Sequence, residues 1–99
     1  MITGRGIDLQ NSVAMLDSIM DRNELVNCGY AIRMVGLDAT TMELVGLGIR
    51  GREAVVGMGL TIEQDGSVHW AYGRYYDCEE DAYEAYLDLV SGTVWVAGD

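Results

Sequence analysis

The chain has 99 residues, 49% hydrophobic and 22% charged, which is enough for one domain with one core and excludes a disordered or low-complexity polymer. Sixteen acids stand against six bases, all of them arginine, for a formal net charge of −10; that balance repels nucleic acid and anionic lipid and excludes a basic binder of either. No apolar run approaches the ~18–20 residues of a membrane span.

The first expected element is a helix within residues 8–23. Leu9, Val13, Leu16 and Met20 recur at steps of four, three and four, which puts them on one stripe. Asp8, Asn11 or Ser12 can cap its start, because a short side-chain oxygen accepts from an unpaired first-turn amide. Cys28 follows in the chain, and Cys78 lies far beyond it. The two have no C-x-x-C spacing and make no disulfide scaffold. With no secretory leader in the first residues, the expected compartment is the cytoplasm, with both thiols reduced.

Four strands are expected over residues 28–37, 41–50, 54–63 and 68–76, each rich in Val, Ile, Thr or aromatic residues and separated by glycine-bearing breaks. Turns are expected at Asp38-Ala39-Thr40, at Gly51-Arg52-Glu53 and, most strongly, at Asp65-Gly66, a pair suited to a two-residue type I′ hairpin. That turn would pair Glu63 with Val68, Thr61 with Trp70, Gly59 with Tyr72 and Gly57 with Arg74. One sheet face would then hold Val56, Met58, Leu60 and Ile62 with His69, Ala71 and Tyr75. The other would hold Val55, Gly57, Gly59 and Thr61 with Trp70, Tyr72, Arg74 and Tyr76. Large aromatic residues facing glycines are unusual on a solvated face. That second face is open to three readings: a partner surface, a homodimer contact, or a face covered by the chain ends.

The spacing predicts a second helix over residues 78–91. Asp77 is its expected N-cap, with Glu80 three residues on. Ala82, Tyr83, Tyr86, Leu87 and Val90 form the expected apolar stripe, and Gly92 the stop. A short strand over 93–97 closes the chain. The order α-β-β-β-β-α-β implies one α+β domain of two layers, an antiparallel four- to five-stranded sheet with two helices on one face.

Chemistry-bearing motifs are weak. Gly46-Leu47-Gly48-Ile49-Arg50-Gly51 matches G-x-G-x-x-G, yet strand rather than helix follows it, so no dinucleotide site is expected. His69, the single histidine, is expected in the core under the helices. The serines lack a nucleophile-elbow context, and Cys28, Cys78 and His69 are too scattered to indicate zinc. The expectation is therefore no catalytic residue, no metal and no cofactor.

The second helix carries the most information. Asp77, Glu79, Glu80, Asp81, Glu84 and Asp88 supply six of the sixteen acids, with no base between Asp77 and Asp88. Asp77, Asp81, Glu84 and Asp88 recur at four, three and four, with Glu80 at the edge of their stripe. Four-residue steps space carboxylates by about 6 Å, a length comparable to the phosphate repeat of a nucleic-acid strand. First-turn acids favour the positive helix N-terminus. Glu84 and Asp88 have no such reason, and like charges at i,i+4 cost roughly 0.2–0.5 kcal/mol each. A charged binding face accepts that cost, and so does a merely solvated one.

In length, acidity and the 77–88 stretch the chain resembles the small phage-encoded anti-CRISPR and anti-restriction proteins. The resemblance implies a non-enzymatic inhibitor that blocks a nucleic-acid-binding site on a host defence nuclease, in some cases as a DNA mimic, in the host cytoplasm. It carries no family site residue onto this sequence. The expected partner is a protein with a basic nucleic-acid-binding groove. The alternative is a small homodimeric structural or regulatory module that uses the sheet face of Trp70, Tyr72, Arg74 and Tyr76.

Overall fold

The computed structural model describes residues 25–63 and 67–97. In chain order these form β1 (Val26–Asn27), β2 (Tyr30–Asp38), β3 (Glu43–Arg50), β4 (Glu53–Ile62), β5 (Val68–His69), β6 (Tyr72–Tyr76), α1 (Glu79–Leu89) and β7 (Thr93–Val96). The class is α+β, and every strand pairing is antiparallel. Strands β1 to β4 run as a meander. Both β5 and β6 pair with β4, and β7 returns to the far side of β2. The helix expected within 8–23 lies outside the described residues, so α1 is the one helix among those described.

Turn chemistry sets the meander. Cys28 and Gly29 both take positive φ, 55° and 83°, and join β1 to β2 as a two-residue hairpin of the I′ kind. Between β3 and β4 the pair Arg50↔Glu53 closes over Gly51, which takes φ of 62°. Asp38 organises the β2–β3 connection. Its carboxylate accepts from the Thr40 amide at 2.9 Å and its carbonyl from the Met42 amide at 2.7 Å.

The β4 hairpin departs from the expected register by one residue. Glu63 N–H donates to the Ser67 carbonyl at 2.9 Å, so three residues rather than two separate the strands. Asp65 and Gly66 themselves lie outside the described residues. The pairs are Ile62↔Val68, Thr61↔His69, Gly57↔Gly73 and Val56↔Arg74. Because strand side chains alternate, the one-residue slip moves Tyr72, Arg74, Tyr75 and Tyr76 to the other face, while Trp70 stays over Gly57. Tyr72, Arg74 and Tyr76 therefore share a face with Met58, Val56 and Ala54, beneath α1. Trp70 and Tyr75 occupy the opposite face. His69 is exposed, not buried under helices.

A second correction comes from Gly59. Leu44 pairs with Leu60 and Val45 with Met58, which leaves Gly59 as the extra residue of a bulge with φ of 67°. The bulge reverses the phase of β4. Met58 points with Val56 to the helix side, whereas Leu60 and Ile62 point to the other. The expected single apolar row of Val56, Met58, Leu60 and Ile62 is thus divided between two faces. Apolar side chains are buried on both: Val45, Leu47, Ala54 and Val56 with Ala82 and Tyr86 of α1 on one, and Ile32, Val35, Leu44, Leu60, Ile62 and Val68 with Leu25 on the other.

Tyr86 is the largest fully buried side chain described, and it anchors α1. Its hydroxyl points at Gly36 of β2. A Cβ at that position would lie 2.8 Å from the hydroxyl oxygen, 2.8 Å from Val90 Cγ1 and 2.9 Å from the Gly92 carbonyl oxygen, all closer than real contacts allow. Two hydrogen bonds then tie the helix exit to the same strand, Ser91 N–H to the Leu37 carbonyl at 2.8 Å and Leu37 N–H to the Gly92 carbonyl at 3.2 Å. The helix accordingly ends by capture of residues 90–92 along β2. Val90 is already extended, and Gly92 does not take the left-handed conformation expected of a glycine stop.

Among the described residues the buried Tyr86 hydroxyl completes no hydrogen bond, although Thr93 is near enough to influence it. Burial raises its pKa above the ordinary value, an effect that Thr93 partly offsets and Tyr83 reinforces. The neutral phenol is therefore the form that folds. Its stabilisation is fully present below the unfolded value of about 10 and is lost as pH rises through the higher folded value. Tyr86→Phe is expected to leave stability at pH 7 unchanged or slightly higher, since an unpartnered hydroxyl is removed. Urea titrations between about pH 9 and 11.5 should show a shallower alkaline loss in Tyr86→Phe than in wild type; equal slopes would contradict the assignment.

Candidate functional site

Helix α1 lies across β3, β4 and β6. Alanine, leucine and glutamate give it good intrinsic propensity. Its first turn holds Glu79, Glu80 and Asp81, which favour the positive end of the helix, and its last turn holds no base. The N-cap is Cys78, extended at φ −144° and ψ 154°, and it makes no side-chain cap bond. Asp77 precedes the cap and does not serve as one. The acidic stripe on the helix proper is therefore Asp81, Glu84 and Asp88, edged by Glu80 and Glu79, with Asp77 leading into it.

All six of these acids are exposed. Among the described residues none of them forms an ion pair or a side-chain hydrogen bond; the ion pair seen is Arg50–Glu53 at 3.0 Å, in the β3–β4 turn. The helix meets the sheet through Ala82 and Tyr86, with Ala85 and Leu89 half-buried beside them. Tyr83 and Leu87 lie about 100° further round the helix and stay exposed at 41% and 49%. The sequence placed both in the buried stripe. Two overlapping i,i+4 series, 82–86 and 83–87, compete in this helix, and the Gly36 notch selects the one containing Tyr86. The outward surface is thus mixed: an apolar ridge of Tyr83 and Leu87 running beside carboxylates.

Two shallow, open grooves flank this end of the helix. One, about 250 Å³, is lined by Arg33, Met34, Leu47, Glu79, Tyr83, Val96 and Ala97. The other, about 330 Å³, lies against Cys78, Glu79, Glu80 and Tyr83. Neither contains a nucleophile beside a base. Cys28 and Cys78 are free and exposed, and no metal-ligating cluster occurs among the described residues. Gly46 and Gly48 of the G-x-G-x-x-G run lie within β3, packed against Leu60, Ile32 and Tyr30, and no helix opens after Gly51. No helix among the described residues is long and apolar enough to cross a membrane.

The other sheet face holds an ordered aromatic group that sequence reading assembled incorrectly. Tyr30 meets Trp70 edge-on at 6.3 Å and Tyr75 at 5.9 Å between ring centroids. Arg50 lies 4.4 Å over the Tyr30 ring. Its guanidinium donates to the Cys28 carbonyl at 3.0 Å and to Glu53, and the Glu53 bond holds it more firmly in the charged form. Trp70 lies flat on Gly57, where a Cβ would come within 2.8 Å of the indole, and its N–H reaches the Tyr75 hydroxyl at 3.4 Å. A ring does rest on a glycine here, Trp70 on Gly57. The partners are Tyr30, Tyr75 and Arg50, not Tyr72, Arg74 and Tyr76, and only the true hairpin register could have shown it.

No family model matches the chain, nor does any curated protein or solved structure.

Trp70 is fastened into the fold rather than held out from it. Trp70→Ala should lower unfolding free energy by about 2–4 kcal/mol through the space left over Gly57 and Gly73. Tyr75→Ala, 62% exposed, should cost less than about 1 kcal/mol. Chemical denaturation of both variants checks this; a fully stable Trp70→Ala protein would place the indole outside the core.

Proposed function

We propose that the chain is a non-enzymatic interaction protein whose α1 face enters a basic, nucleic-acid-binding groove of a partner protein and competes there with nucleic acid. The observation that carries the reading is the set of exposed, unpaired carboxylates on α1, on a helix without a single base. Acids held in local salt bridges would be electrostatically spent. These are not, and they belong to a chain of net charge −10 that is steered toward cationic surfaces from a distance. Steps of three and four residues between the carboxylates of Asp81, Glu84 and Asp88 on one helix supply the spacing of a polyanion, and the Tyr83–Leu87 ridge adds apolar contact area. Inhibition of a defence nuclease complex, as by anti-CRISPR or anti-restriction proteins, is the biological setting that fits this chemistry.

A second reading, self-association, is favoured by the exposed tyrosines at the β6 edge, Tyr72 at 73% and Tyr75 at 62%.

The test changes Asp81, Glu84 and Asp88 together to Asn, Gln and Asn. Polarity and size are retained, three charges are lost, and helix propensity shifts by only tenths of a kcal/mol per residue. Thermal stability should hold or rise slightly. A partner captured by wild type and identified by mass spectrometry should bind the triple variant at least about tenfold more weakly, with a slower on-rate and a flatter salt dependence. It should also regain its nucleic-acid binding in competition. If the triple variant displaces nucleic acid as well as wild type does at low salt, the acidic face is only solvated and the proposal fails.

A further inference from the structure

Among the described residues strand β6 is an open edge. It pairs with β4 on one side, and no backbone bond from Tyr72–Tyr76 to any described residue satisfies the other side. Its side chains are presented to solvent: Tyr72 is the most exposed large apolar residue described, and Arg74 and Tyr75 are exposed too. An unpaired row of N–H and C=O groups is a template for another strand, and proteins usually blunt such edges with short strands, charged side chains, proline or a bulge. This strand is short and carries one charge, Arg74, but it has no proline and its five residues run unbroken against β4.

We infer that β6 pairs antiparallel with β6 of a second copy, which makes one continuous sheet across a two-fold axis. This goes beyond the acidic-helix reading and does not depend on it. A two-fold axis perpendicular to the sheet keeps each side chain on its own face, so the ladder must centre on a residue facing its own counterpart. Centring on Arg74 sets the two arginines directly opposite, a like-charge pair. Centring on Tyr75 directs each Arg74 toward a half-buried Tyr76 beneath α1. Centring on Gly73 removes both objections. Glycine faces glycine on the axis, and each Tyr72 ring lies across from Arg74 of the second copy, an aromatic–guanidinium pair formed twice. Among these centres the sequence Tyr72-Gly73-Arg74 is self-complementary only in the Gly73 register. The same axis leaves both α1 helices on one face of the joined sheet, so two acidic faces point the same way.

Centred on Gly73, the two β6 strands overlap over residues 72–74, a small interface and hence a weak and reversible dimer. Two chains of net charge −10 repel each other, so added salt should tighten it, opposite to the salt response of an acidic face on a basic partner. Sedimentation equilibrium of the full chain up to about 1 mM is expected to show monomer and dimer, with dimer fraction rising between about 0.05 and 0.5 M NaCl. Arg74→Glu should weaken dimerisation at least tenfold, and Arg74→Lys should keep most of it. Circular dichroism should show both folded, since Arg74 is exposed. On wild type, amide exchange by NMR at low and high concentration should show new protection confined to alternate residues of β6. A chain that stays monomeric throughout overturns the inference, as does a dimer whose β6 amides gain no protection or which Arg74→Glu leaves intact.

Discussion

The contact on which the described architecture depends is a ring against a missing side chain. Tyr86 occupies the space over Gly36 that any other residue would fill, and that fit sets how far α1 approaches the sheet and which of its faces turns inward. The rest follows by rotation. With Tyr86 and Ala82 down, Tyr83 and Leu87 move to the flank and the carboxylates stand away from the sheet. The hydrogen bonds of residues 91 and 92 to Leu37 then fix the helix exit and deliver the chain into β7 beside β2. A protein this small has little apolar area to spare, so one buried tyrosine is a large share of what holds the two layers together.

The two faces of the sheet separate two kinds of chemistry. Above one lies a charged helix with no internal compensation, whose like-charge spacing opposes helix stability and is tolerated because sheet packing outweighs it. On the other, charge is neutralised locally: Arg50 lies over Tyr30, meets Glu53, and holds the Cys28 carbonyl. Arginine used in this way is structural. Arg50 is thus held by local contacts, whereas the carboxylates of α1 make no ion pair among the described residues.

Much of this was legible in sequence, and the misses have definite causes. The α+β class, the strands from β2 to β4, the α1 segment and the exposure of its acids follow from hydrophobic periodicity and glycine placement. The face assignments did not follow. Asp65-Gly66 signals a two-residue turn, while the hydrogen bond from Glu63 to Ser67 encloses three residues, and period-two alternation turns that single residue into an exchange of faces over residues 72–76. Gly59 is one of four glycines between positions 48 and 59, and nothing local distinguishes the one that bulges. His69 stays on the α1 side of the sheet, because the slipped register and the Gly59 bulge cancel there, but it lies on β5, beyond the strands that α1 crosses; Tyr83 departs through a choice between two overlapping helical stripes that a glycine on a distant strand decides. Local chemistry specifies elements well. Contacts between elements, here Gly36 with Tyr86, specify which way they face.

The most direct measurement is a double-mutant cycle between positions 36 and 86, read as unfolding free energy in urea at pH 7. Gly36→Ala should cost about 1–3 kcal/mol by overpacking. Introducing Tyr86→Phe should recover part of that loss, because the nearest obstacles to the new methyl include the Tyr86 hydroxyl oxygen, with a coupling above about 0.5 kcal/mol. The account predicts this non-additive rescue. Strictly additive effects, or a Gly36→Ala protein as stable as wild type, would mean that Tyr86 does not seat the helix on β2, and the orientation assigned to the acidic face would lose its foundation.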